Sequence, residues 1–330
     1  MINGKVINGL QPMLLLPKGK DYLWGGDKLK TGYYKDIDMT PLSETWECSV
    51  HSDGPCVIDS GEYKGAELRS VLDEHPEYMG TKVLGEFPIL VKFIDAKRDL
   101  SVQVHPSDEY AYNNENGQNG KTEFWYVLDA EPGAQLVCGF SHDVTKEQLR
   151  EGIESGTLSK HLQYVPVHSG DVFFIPAGTV HAIGKGIVLA EVQESSNLTY
   201  RLYDYDRVDP KTGTKRELHF DKSCDVLDMH AGTNVRQKPR KVDYNPGSSR
   251  EILIRCKYFE AERIVCSMGF GFTVMDTSFQ VMLCVSGDGG IRTDSMHRPL
   301  MFHKGDCIFI PAGCGRCHVI GKTDLLKIRC

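Results

Sequence analysis

HSGDVFFIPAGTVHAIG, residues 168–184, is the stretch from which the fold is read. The apolar run 172–175 forms a short buried strand that Gly170 and Asp171 start from a turn and Pro176 to Gly178 end. His181 follows three residues after Gly178, directly past that rigid turn. A strand, a tight turn and a histidine in this order let a small β-barrel hold one imidazole at a fixed point in its mouth.

The frame occurs twice. HKGDCIFIPAG, residues 303–313, matches residues 168–178 at eight of eleven positions in one ungapped register. Two copies of one β unit imply a mainly-β chain of two related jelly-roll barrels with a few short helices. The copies part where chemistry sits: five residues after Pro176 is His181, and five after Pro311 is Arg316. A loose match of the earlier strands sets Phe279 against Glu123. The second copy is therefore expected to keep the scaffold and lack the ligands.

Partners for His181 lie upstream. In residues 100–105 alternation puts Ser101, Gln103 and His105 on one face, with Leu100, Val102 and Val104 on the other. A buried Gln and His side by side cost free energy unless both are engaged. After a polar loop at 113–120, residues 121–128 resume as an aromatic-rich strand with Lys121 and Glu123 on one face. Residues 199–207 alternate again and group Arg201, Tyr203, Tyr205 and Arg207. Further strands are expected at 45–50, 87–94 and 186–193. Short helices are expected at 66–75, 107–112, 145–152 and 157–161, with Thr145 and Thr157 as caps.

Residues 232–250 carry Pro239, Pro246, Gly247 and two serines with little apolar content, which reads as a linker. The expected domains are thus a catalytic one at 1–231 and a degenerate one at 251–330. The net charge of −7 argues against a nucleic-acid partner, and no apolar run approaches the length of a membrane span. The first residues carry no signal-peptide pattern. Eleven scattered Cys read as free thiols, so a cytoplasmic chain is expected. Cys314 and Cys317 make a lone CxxC with no partner motif.

Gln103, His105, Glu123 and His181 form an N/O donor set suited to a divalent metal such as zinc, iron or manganese. Each residue alone reads as an ordinary sheet or edge residue; their joint occurrence with the 170–181 turn reads as a metal site. Arg201 suits a phosphate or oxyanion contact, or else a structural pair with Asp204 or Asp206.

Gly-x5-Pro-x-Gly-x2-His at 170–181 resembles the second cupin motif. With QVHP at 103–106, KTE at 121–123, YRLYDYDR at 200–207, WGG at 24–26 and ETWE at 44–47, the chain resembles type I mannose-6-phosphate isomerases of the short bacterial form. The resemblance runs over nearly the whole chain and is weakest after the linker. It implies two cupin barrels, the first holding one Zn2+ on Gln103, His105, Glu123 and His181. It further implies Arg201 as the active-site arginine and a sugar-phosphate substrate, mannose 6-phosphate converted to fructose 6-phosphate through a cis-enediol. The KTE match gives Lys121 a catalytic role. Eighteen residues separate His105 from Glu123, a wider spacing than in most cupins, and the 113–120 loop fills it. The base stays open among Glu194, Glu47 and metal-bound water. A monomer or weak homodimer is expected. An iron-dependent cupin dioxygenase and a non-catalytic sugar-phosphate-binding cupin are the competing readings.

Overall fold

The computed structural model describes residues 10–232, 236–245 and 247–330. The chain divides into two compact units. One is Gly19–Thr45 with Ile89–Lys238; the other is the chain up to Lys18 with Trp46–Pro88 and Pro239–Cys330. The expected boundaries at 231 and 251 are continuous in sequence, whereas these units are interleaved. Strand Met13–Leu16 pairs with both Cys307–Ile310 and Val57–Ile58, which ties early chain to the second unit. Such short strands leave too little alternation to assign them from sequence.

In the first unit two antiparallel sheets enclose the core. The six-stranded sheet runs in the order Val172–Ile175, Glu123–Ala130, Ile187–Glu194, Ile89–Ala96, Glu44–Cys48, Lys18–Lys20. The five-stranded sheet runs Tyr200–Tyr203, Val102–Val104, His181–Ile183, Gln135–Phe140, Leu162–Pro166. Trp125, Phe173 and Leu189 from the first sheet meet Leu136, Cys138 and Ile183 from the second. Each such fully buried large side chain contributes roughly 1.5–3 kcal/mol of transfer free energy. The outer face of the five-stranded sheet, including Val102 and Val104, packs under Leu149 and Leu158 of short helical segments. The expected alternation therefore holds for Val102 and Val104, while Leu100 lies before the strand and joins the core between the sheets. Neither sheet closes into a ring, so the unit is an open jelly roll and not a sealed barrel.

The helices arise where capping and apolar spacing agree. Lys146–Glu154 starts at Thr145 with a reciprocal capping box to Gln148, and Asp108–Asn114 starts at Ser107, whose hydroxyl accepts from the Tyr110 amide. Residues 157–161 give only a 3-10 turn, Leu158–Lys160, and Thr157 makes no side-chain cap bond. Two other readings change. Tyr200–Tyr203 ends early, because Tyr205 and Asp206 are left-handed (φ 56° and 54°), so the alternation does not reach Arg207. Of the expected linker, 233–235 and 246 lie outside the described residues. Within the rest, Arg240–Asn245 pairs with Ser248–Arg255 as a hairpin. Its edge strand RKVDYN carries little apolar content, which is why the segment reads as a linker. No helix among the described residues is long and apolar enough to cross a membrane.

The second unit is built on one ten-stranded sheet. Its two long strands, Gln280–Thr293 and Gly315–Arg329, pair along nearly their full length. Backbone bonds align it with the first unit residue by residue. Asp171 and Asp306 each accept, through Oδ2, the amide of the histidine three residues before. The Gly178 amide donates to His105 O and the Gly313 amide to Met275 O, both at 2.9 Å. Glu123 pairs with Ile175, and Gln280 pairs with Ile310. The counterpart of Glu123 is thus Gln280, one residue after the expected Phe279. His181 faces Gln103 as Arg316 faces Thr273. All four candidate ligands are replaced in the second unit, by Thr273, Met275, Gln280 and Arg316. Cys314 and Cys317 are buried free thiols, and all eleven cysteines are unbridged.

Candidate functional site

The turn at Pro176–Gly178 sets the position of His181. Gly178 has φ +88°, and a Cβ there would lie 3.0 Å from the Val226 carbonyl, so this corner takes glycine only. The chain then re-enters the sheet at His181, opposite Gln103 on one side and Cys138 on the other. His105 follows Val102–Val104, and Glu123 opens Glu123–Ala130.

One nitrogen or oxygen from each of His105, Glu123 and His181 lies within 4.8 Å of the others. His105 Nε2 is 3.5 Å from Glu123 Oε2, and His181 Nε2 is 3.4 Å from Glu123 Oε1. The Gln103 amide is 3.4 Å from His181 Nε2, which brings the fourth expected ligand to the same point. Both rings are oriented from behind. His105 Nδ1 donates to Leu198 O at 2.9 Å and His181 Nδ1 to Thr179 O at 2.8 Å, which leaves both Nε2 lone pairs facing inward. All three residues are buried, yet His105 Nε2 and Glu123 Oε1 make no hydrogen bond. Buried polar atoms left unpaired in this way fit a metal, whose coordination bonds would satisfy them.

Electrostatics keep the donors in ligating form. Burial pushes the Glu123 carboxyl up, but Lys121 and both histidines outweigh it and hold it well below the usual carboxylate range. Burial, reinforced by the Lys121 charge, lowers His105 to about 3, and burial also lowers His181. An ionised carboxylate with two neutral imidazoles is the protonation state a divalent cation needs.

Lys121 stands where the sequence reading expects it, and Lys92, Glu191 and Glu44, which that reading did not place in the site, extend it. Lys121 Nζ lies 2.9 Å from Glu123 Oε2 and 3.8 Å from Glu191 Oε1. Lys92 Nζ lies 3.0 Å from Glu191 and 3.8 Å from Glu44. Burial opposes the Lys92 charge, but Glu191 and Glu44 outweigh it and raise its pKa. Trp125 Nε1 donates to the second Glu191 oxygen at 3.0 Å. The signal for these residues was present in the sequence: Lys92 and Glu191 each interrupt an apolar strand, ILVKFIDA and IVLAEVQE. A charge inside a buried strand persists only when paired.

Gln103, Lys121, Lys92, Glu191, Glu44 and Arg201 line one cavity of about 250 Å³, which Arg216 also borders. Arg201 is not tied to Asp204 or Asp206. Asp204 takes Arg216 and Arg207, and Asp206 takes Lys215. Arg201 Nη1 donates to Glu217 O at 2.9 Å, and its Nε is buried without a partner. Burial, with Arg216 nearby, lowers its pKa. Neither Glu47 nor Glu194 lines this cavity.

Known proteins match this architecture. Residues 13–140 match the family described as phosphomannose isomerase type I, catalytic domain. The chain is 37% identical over 320 residues to the mannose-6-phosphate isomerase ManA of Bacillus subtilis, covering 96% of this chain and 98% of that protein. It is 43% identical over 226 residues to the mannose-6-phosphate isomerase of Streptococcus mutans, covering 68% and 70% respectively. The crystal structure of mannose 6-phosphate isomerase from Bacillus subtilis superposes with a TM-score of 0.89 at 32% identity, over 96% of this chain and 99% of that one. A buried His–Glu–His cluster on a jelly roll, with these relatives over nearly its full length, places the chain in the mannose-6-phosphate isomerase family.

Proposed function

We propose that the chain is a zinc-dependent aldose–ketose isomerase that interconverts mannose 6-phosphate and fructose 6-phosphate. The observation that carries this reading is the buried His105–Glu123–His181 cluster, touched by Gln103 and Lys121, which themselves line a cavity with Lys92, Glu191 and Arg201. Gln103, His105, Glu123 and His181 would hold the metal, which when bound supplies Lewis-acid stabilisation to a sugar oxygen.

The remaining chemistry falls to side chains. Isomerisation moves one proton between C2 and C1 through a cis-enediol, with the carbonyl and hydroxyl oxygens exchanging protons. Glu191 is the cavity carboxylate held by both Lys92 and the Trp125 indole, and it is assigned the proton transfer. Lys121, 2.9 Å from Glu123, stands beside the metal cluster and offers its ammonium to the developing oxyanion. Arg201, whose Nε has no partner, takes the phosphate. A dioxygenase acting on an apolar substrate would give Lys121 and Arg201 no role.

The test is to incubate zinc-loaded protein with mannose 6-phosphate and follow fructose 6-phosphate, before and after chelation. Turnover that chelator abolishes and zinc restores is expected. A zinc-loaded, folded protein that forms no fructose 6-phosphate would refute the assignment. The expected sugar-phosphate partner and cytoplasmic setting follow from the same reading.

A further inference from the structure

The second unit has lost the metal ligands but keeps a cavity where the first unit has its own. Strand registers identify the correspondence. Gln193 lies opposite Glu123 as Arg329 lies opposite Gln280, and Glu191 opposite Trp125 as Lys327 lies opposite Met282. On the next strand, Lys92 faces Glu191 as Glu262 faces Lys327. Glu44 and Arg250 come from the strand one further out in each sheet. A cavity of about 120 Å³ is bordered by Arg250, Glu262, Lys327, Thr273, Gln280 and Arg329. The first four replace Glu44, Lys92, Glu191 and Gln103 of the catalytic cavity, and Gln280 replaces Glu123.

The charges are reversed along this line. In the first unit one lysine, Lys92, bridges the carboxylates of Glu191 and Glu44 at 3.0 and 3.8 Å. In the second unit one carboxylate, Glu262, bridges two cations, Lys327 at 3.2 Å and Arg250. Nearby, Glu260 is likewise shared between Arg329 and Arg255. The residues bordering the cavity thus include three cations, Arg250, Lys327 and Arg329, and one carboxylate, Glu262. Gln280 is only 5% exposed, and its Oε1 has no hydrogen-bond partner, although it borders the cavity. An adjoining cavity of about 320 Å³ shares Thr273, Gln280 and Arg329, so the space continues beyond the charged floor.

A degenerate barrel that merely filled its core would close this space with apolar side chains, as natural interiors do. Here it is kept open, with Phe270 and Phe272 on its wall and three cations and an unpaired amide oxygen at its polar end. We propose that the second unit binds a small phosphate ester bearing hydroxyl groups. Arg250, Lys327 and Arg329 take the phosphate, and the Gln280 carbonyl and Thr273 hydroxyl read the hydroxyls. No bond is made or broken there, because no metal ligand or base remains at the equivalent positions.

Equilibrium dialysis of the full-length, zinc-loaded protein against radiolabelled inorganic phosphate tests this directly. The wild type is expected to hold phosphate at a site that survives Arg201→Ala. Arg329→Ala, at a side chain 47% exposed, should weaken that site about tenfold while isomerase turnover stays unchanged. Unlabelled glycerol 3-phosphate should displace the label at lower concentration than unlabelled phosphate does, and Gln280→Leu should remove that advantage. Binding that Arg201→Ala abolishes and Arg329→Ala leaves intact would overturn the proposal. So would the absence of any phosphate site in the Arg201→Ala protein. Since turnover is measured separately, failure of the isomerase reading would leave these outcomes distinct.

Discussion

Burial and the neighbouring Asp108 push the Glu194 carboxyl up to about 8. An unfolded glutamate releases its proton near its ordinary value of 4.5. The folded state therefore holds a proton that the unfolded chain gives up, and this contribution is complete below about pH 4.5. It is lost as pH rises to about 8. Glu194→Gln keeps an acceptor for the Thr122 amide, which now donates to Glu194 Oε1 at 2.7 Å, and needs no proton. The melting temperature of the variant relative to wild type should rise steadily from pH 5 to pH 8. A flat difference across that range would mean that Glu194 is not held protonated. Arg201 gives the second prediction at this scale. Its unpaired Nε and planar fork suit a phosphate, so Arg201→Lys should cost roughly 100-fold in kcat/KM with zinc content unchanged. Loss of zinc instead would make Arg201 a support of the metal cluster.

At the level of elements, the turn before His181 is where backbone geometry and chemistry meet. Gly178→Ala forces an L side chain into φ +88° and toward the Val226 carbonyl, at a cost of about 1–3 kcal/mol. Because that turn aims His181, the variant should also bind zinc at least about tenfold more weakly, read by competition with a chelating dye. Unchanged zinc affinity would show that the strand pairing alone places His181. The same turn explains what was legible in the sequence. Gly, Pro and His at fixed spacing are local demands, so the 168–181 frame, its copy and the ligand cluster could be read without a structure. The hairpin 240–255 could not, because its edge strand RKVDYN is charged and polar with little apolar content, the composition of a linker. Phe279 was taken for Gln280 because strand register is a long-range property, and a slip of one residue exchanges the faces. Lys92 and Glu191 were visible as charges in apolar runs. Their partnership depends on adjacency between strands about a hundred residues apart, which only the fold reveals.

Across the whole molecule, every candidate metal ligand belongs to one unit, and the other has Thr273, Met275, Gln280 and Arg316 at the matching positions. Any stabilisation from the metal is therefore confined to the first unit. For a ligand present at a thousand times its dissociation constant, linkage supplies about 4 kcal/mol to the structure that binds it. Chelation should accordingly speed amide exchange in Val102–Val104, Glu123–Ala130 and His181–Ile183. Exchange in Gln280–Thr293 and Gly315–Arg329 should stay unchanged. His181→Ala should reproduce the chelated pattern in the presence of zinc, with metal content falling from one per chain toward none. His318 offers the matching control. It is a histidine two residues past Arg316 that lies 3.6 Å from Asp294 and far from any equivalent of Glu123 in sequence register. His318→Ala should leave both zinc content and the exchange pattern as in the wild type. If chelation instead loosened both pairs of strands equally, the metal would be stabilising the chain as one cooperative body, and the division of labour inferred from the two copies would fail.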